Sequence, residues 1–301
     1  MKLYGALILL SLIWGLSFVF IETLISTAGV WGTVFLRCIA GALILLPLLL
    51  RKIRKKEIQK RLPWKALVTV GVINAGLPWG LIALSQTNIT SNTAAVLNAL
   101  TPILTGLIGF FVFSILLNKM QWVGIGLGFI GILILMNFNV NELFSSQFVG
   151  IGTMLIAATC YGFATQFTRK YLKQTHVVVI STFSLLVGAC VGLVGVLITD
   201  SAAFARIIET ADFVFMGSVI GLGCLGSGIA NLLYYYLINE GGAEFASTVT
   251  YLIPLTALLW GNVLLGEPIT SNLLLGLATI FLGVYLANKK SKAKQRSSHA
   301  L

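Results

Sequence analysis

Residues 92–116 read NTAAVLNALTPILTGLIGFFVFSIL, and residues 245–265 read FASTVTYLIPLTALLWGNVLL. Neither stretch holds a charged residue, and each reaches the roughly 20 apolar residues that cross a bilayer as a helix. An offset of 152 lays one on the other: Ala94 falls on Ala246, Leu100 on Leu252 and Pro102 on Pro254. The same offset carries Gly124 to Gly276 and Gly131 to Gly283, and an offset of 147 carries Gly5 to Gly152, Trp14 to Tyr161 and Gly15 to Gly162. The chain therefore reads as two related lengths of membrane helices.

Outward from these stretches, apolar runs occupy about 3–26, 30–50, 64–85, 92–116, 121–138, 148–168, 177–199, 213–238, 245–265 and 271–288. The fold expected is an all-α integral membrane protein of ten transmembrane helices. Each half has five. Because five is odd, the second half enters the bilayer the other way up, giving a 5+5 inverted-topology repeat with a site near mid-membrane between the halves. The divisions are 1–139 for the first five-helix repeat, 148–288 for the second and 289–301 for a basic tail.

Composition agrees. Of 301 residues, 57% are hydrophobic and 10% charged, and mean hydropathy is +0.97, too apolar for water to be the main solvent. Runs this uniform lack the alternation of barrel strands. The net charge of +11 would suggest nucleic acid in a soluble protein. Here, with the N-terminus inside, all of the 20 basic residues except Arg37 and Arg206 fall in inner loops or the tail. The positive-inside rule thus accounts for the charge and puts both termini in the cytoplasm of a multi-pass plasma-membrane protein, with no nucleic-acid partner. The four cysteines lie singly in apolar runs, and no cluster has metal-ligand spacing, so neither a metal nor a cofactor is expected. GLGFIG at 126–131 and GLGCLG at 221–226 match a dinucleotide fingerprint only in letters. Inside apolar spans they read as close helix packing.

The ordered motifs resemble the EamA-type transporters of the drug/metabolite transporter superfamily. The resemblance rests on Trp14-Gly15, Phe35-Leu36-Arg37, Ala83-Leu84, Thr93-Ala94-Ala95-Val96 leading to Thr101-Pro102, Ala243-Glu244-Phe245-Ala246-Ser247 leading to Pro254, and Gly266-Glu267-Pro268 before Gly276 and Gly283. The first half carries Ser114-Ile115 where the second has Gly266-Glu267. The resemblance implies a central cavity between five-helix halves and export of amino acids or related metabolites.

Polar residues at depth are the site candidates, since lipid penalises them unless they face a cavity or a neighbouring helix. Substrate-binding candidates are Trp14, Asn74, Trp79, Asn98, Tyr161, Gln166, Asn231, Tyr235 and Tyr251. Helix packing is the alternative for each. Glu22 and Arg37 sit at similar depth on either side of a short turn, which predicts an ion pair or a shared hydrated pocket acting in gating or coupling. Snorkelling to the headgroups is the alternative. Pro102 and Pro254 should kink their helices. The reading is a secondary transporter working by alternating access on a small-molecule substrate, in a bilayer, with a homodimer admissible. Multidrug or nucleotide-sugar transport is the alternative, then a membrane enzyme or scaffold. The residues chosen assign no catalytic role.

Overall fold

A straight helix from Lys2 to Arg54 would be about 80 Å long at 1.5 Å per residue, more than twice the roughly 30 Å hydrocarbon core. In the computed structural model, which describes residues 2–58, 61–136, 146–210 and 212–288, helix α1 (Lys2–Arg54) breaks at Gly29, with φ 68° and ψ −178°. Only glycine adopts that conformation without strain. The chain doubles back there: Phe20 before the break and Ala40 after it both pack on the 221–223 segment. Across the break, Arg206 pairs with Asp200 and donates through Nε to the Thr27 carbonyl at 3.3 Å.

The remaining elements are α2 (Trp64–Gly71), a π-helical turn at Val72–Gly76, α3 (Leu77–Gln86), α4 (Ser91–Asn98), α5 (Thr101–Phe113), α6 (Lys119–Leu135), α7 (Ser146–Tyr171), α8 (Val177–Thr199), α9 (Ala203–Thr210), α10 (Phe213–Val219), a second π-helical stretch at Ile220–Ile229, α11 (Ala230–Ser247), α12 (Val249–Leu265) and α13 (Ser271–Asn288). The described residues form no strand. Among them, seven helices are long and apolar enough to cross a membrane, or eight if the bent pair α4–α5 is one span. That tally takes α1 as one helix despite its break, and α6, with 17 residues, falls just short in length. Leu43, Leu116, Ile198, Phe213 and Val263 face outward, whereas Ser85, Asn92 and Thr182 are buried. This outward apolar surface is what a bilayer solvates. The tail at 289–301 and the link at 137–145 lie outside the described residues.

Pro102 stands at the start of α5, at the bend between α4 and α5, rather than inside one continuous helix. Its missing N–H ends the helix at Asn98, and α4 and α5 meet at 43°. The Asn98 carbonyl, which residue 102 would normally satisfy, accepts instead from Thr101 Oγ1 at 2.7 Å. Pro254 lies inside α12, and the chain breaks earlier, at Thr248. The two prolines thus match in sequence but not in local shape.

Two features recur between the lengths. Helix α5 ends in Ser114 at φ 54°, and α12 ends in Gly266 at φ 66°. In each, the next N–H reaches back six residues, Ile115 to Gly109 at 2.9 Å and Glu267 to Gly261 at 3.1 Å. Both helices thus close on a left-handed residue whose turn satisfies a carbonyl near the helix end. The second feature joins α6 to α13. A Cβ on Gly124 or Gly283 would strike the other's backbone, and one on Gly131 or Gly276 would come within 3.2 Å of the other's carbonyl. The contacts 124–283 and 131–276 run in opposite senses, so the helices are antiparallel.

Candidate functional site

A cavity of about 400 Å³ opens between the helices. The wall comes from α1, both π-helical segments, α3, α4, α5, α7, α8, α11 and α12. Of the residues expected to bind substrate, it gathers Trp14, Asn74, Trp79, Asn98, Tyr161 and Asn231, together with Arg37, Pro102 and Pro254. Gln166 is elsewhere: its Nε2 lies 3.4 Å from the Thr105 carbonyl and packs against Gly109, so the amide bridges α7 to α5. Tyr251 also stands off the cavity. Its hydroxyl accepts from Asn288 Nδ2 at 2.9 Å and its ring meets Phe281 edge-on. The side chain of Tyr235 lies outside the described ones.

The stretch 220–229 organises the polar part of the wall. In a π-helical turn the i→i−4 ladder is interrupted, and carbonyls become available to side chains. Ser227 Oγ donates to the Leu222 carbonyl at 3.0 Å, which leaves its lone pair to accept from Arg37 Nε at 2.8 Å. Trp14 Nε1 donates to the Gly226 carbonyl at 3.1 Å, and Asn231 Nδ2 to the Ser227 carbonyl at 2.6 Å. Asn74, from the other π-helical turn, also faces the cavity.

Arg37 is 8% exposed and lies flat over the Trp79 ring, 3.7 Å from guanidinium carbon to centroid. The Trp79 indole and the Tyr161 hydroxyl are close enough to hydrogen-bond, so ring, phenol and guanidinium form one cluster. The expected Glu22–Arg37 pair does not form. Among the described residues the ion pairs are Lys52–Glu57 and Asp200–Arg206. Ser227 and the indole face draw Arg37 inward, while Glu22 lies toward Glu267. Neither terminal Nη group of Arg37 hydrogen-bonds a described residue. A guanidinium without a counter-ion is costly in low dielectric, and among the described residues this one has none and lines the cavity.

Three wall residues had escaped the sequence reading: Ser17, Ser181 and Ser184. The i, i+3 spacing of Ser181 and Ser184 in an otherwise apolar run was a usable signal. Ser17 gave none, because small hydroxyls close packed helices as often as they line cavities; its own Oγ bonds the Ile13 carbonyl at 3.1 Å. Among the described residues, no group of His, Cys, Asp and Glu could hold a metal ion.

The sequence model of the EamA-like transporter family matches residues 1–137 and again 148–289. Among relatives, the chain is 24% identical to the uncharacterized transporter YoaV of Bacillus subtilis, covering 95% of this chain and 96% of that one. It is 26% identical to the uncharacterized inner membrane transporter YedA of Escherichia coli K12, covering 95% and 90%. A solved crystal structure 15% identical superposes with a TM-score of 0.54 over 93% of this chain and 96% of its own, a likeness of fold. With the helices, the cavity and two family matches spanning nearly all of its length, this chain belongs to the EamA-like transporter family.

Proposed function

We propose that the protein carries an amino acid or a closely related carboxylate-bearing metabolite through this cavity by alternating access, in the export direction. The observation that supports this reading most is Arg37: a buried cation with two free donor groups, aimed at a space of about 400 Å³. The planar fork of its outer donors matches a carboxylate. The volume lies at the small end of the roughly 300–1,000 Å³ range of ligand pockets, which suits a single small solute. Trp14, Trp79 and Tyr161 offer apolar and π surface to a side chain, and Asn74, Asn98 and Asn231 offer polar groups to an ammonium.

The same features weigh against the alternatives. A nucleotide sugar brings a diphosphate that calls for more than one cation, and Arg37 is the cationic wall residue. A lipophilic cation would meet the guanidinium as a like charge.

The mechanism proposed is a rocking of two inverted halves of five spans, with both termini cytoplasmic in the plasma membrane. Ten spans follow when α1 is divided at Gly29, α4 and α5 are joined and α6 is included. The inverted arrangement is supported by the glycine seam. Sequence equivalence sets 124 on 276 and 131 on 283, yet the contacts run 124–283 and 131–276. Each residue touches the counterpart of the other, the reciprocal pattern of a two-fold axis. The matched helix ends at Ser114 and Gly266 support the same offset. The test is counterflow in proteoliposomes, with labelled amino acids, their carboxamides and purines. Exchange of the acids and not of the carboxamides is expected. No exchange of any solute by folded protein would overturn the reading.

A further inference from the structure

A second polar group lies apart from the cavity, where α1, α3, α4 and the loop before α13 meet. Glu267 sends one carboxylate oxygen to the Ser91 N–H at 2.8 Å and the other to the Asn92 N–H at 2.9 Å. These are orphan donors of the first turn of α4, and the helix dipole favours an anion there. Glu22 is the electrostatic neighbour of Glu267, and Glu22 Oε2 is buried with no hydrogen-bond partner among the described residues.

The surroundings of Glu22 supply oxygens. Gln86, 3% exposed, donates through Nε2 at 2.9 Å to the Phe18 carbonyl, one helical turn from Glu22 on the same face. Its Oε1 is left buried and unpartnered. Ser91 and Asn92, each 1% exposed, have buried side-chain oxygens likewise without partners. The charged group facing Glu22 from the elements packed around it is Glu267, among the described residues, and Gln86, Ser91 and Asn92 carry their unpartnered oxygens at the adjoining junction of α3 and α4. Arg37 is engaged with Ser227 and Trp79 instead. Buried oxygens left without a donor are costly, and a small cation is one ligand that would satisfy them.

We propose that Glu22, Glu267, Gln86, Ser91 and Asn92 form a monovalent-cation site, taking a proton or Na⁺, that is coupled to the cavity through α4. A proton would add to Glu22 Oε2 as an O–H bond and leave by the same bond; Na⁺ would take the same oxygens as ligands. Helix α4 begins on the Glu267 carboxylate and ends at Asn98, in the cavity wall, about 12 Å away at 1.5 Å per residue. Loading the site alters what holds the first turn of α4, and the rigid helix delivers that change to its far end.

The coupling half of this inference rests on the transport reading; the site itself does not. The test therefore measures charge displacement in proteoliposomes on a solid-supported membrane after a pH jump or a Na⁺ jump, with no solute present. The wild type should respond to one of the two, and the responding jump names the ion. Glu22→Gln should reduce the response at least tenfold, Glu22→Asp should retain it with a shifted midpoint, and Gly126→Ala, in open space on α6, should leave it in place. No response from the wild type to either jump, or an equal one from Glu22→Gln, would overturn the site. If Glu22→Gln does not fold, an unmoved midpoint in Glu22→Asp overturns it. Charge displacement without flux of any solute would keep the site and sink the transport reading, and solute flux without displacement would do the reverse.

Discussion

Arg37 and Ser227 are 190 positions apart in sequence and 2.8 Å apart in space. Under the function proposed, their contact sets what the cavity selects. A charged hydrogen bond contributes about 1.5–3 kcal/mol net, so Arg37→Gln should weaken apparent affinity for a carboxylate solute about 10–100-fold, read from the half-saturation of counterflow. The carboxamide analogue, which the wild type should not exchange, should not be exchanged by the variant either. Ser227→Ala removes the anchor and not the charge, so its loss should be several-fold smaller. Equal losses in the two variants would mean that Arg37 packs the wall without binding solute. Another residue-scale expectation concerns Ser114, which holds a left-handed helix end where Gly266 serves the other length. Ser114→Gly should raise stability by about 0.5–1 kcal/mol, because glycine adopts that backbone at no steric cost. Thermal unfolding in detergent measures it.

At the scale of elements, the prolines and glycines divide the work. Their positions could be read from the sequence; their consequences came from neighbours. Pro102 was recognisable as a breaker, yet it opens α5 and bends the pair by 43°, while Pro254 is accommodated within α12. The two π-helical segments gave no periodic signal, since one added residue per turn does not disturb an apolar run of uniform composition. They were therefore invisible beforehand, together with the Ser227 hinge of the wall. The amide and indole part of the cavity wall was legible, because an amide or indole deep in lipid has few places to go. The failed Glu22–Arg37 pairing was not, since depth along a helix does not say which way a side chain turns. The glycines of α6 allow a controlled comparison. A Cβ at Gly124 would meet the backbone of α13, whereas one at Gly126 meets nothing within 4 Å. Gly124→Ala should cost about 1–3 kcal/mol by forcing the helices apart, and Gly126→Ala should be silent in the same unfolding assay.

For the whole molecule, the long apolar runs were enough to set an all-helical membrane architecture. Uniform apolar runs of bilayer length have few alternatives, which is why this level was so readable. The expected sidedness can be checked directly. Membrane-impermeant thiol labelling of single cysteines introduced at Lys55 and at the C-terminus, in a cysteine-free background, should require permeabilised cells for both. Labelling of one site in intact cells would place the two ends on opposite faces and remove the odd-span argument for inversion.

The seam between α6 and α13 contributes no residue to the cavity wall. Because its contact is self-complementary, a single ancestral length would already have possessed both mating faces. Two free copies could have met through it before their genes were fused, and fusion would have demanded no fresh surface. In the rocking cycle proposed, that join would be the still spine of the particle, tolerant of a covalent staple.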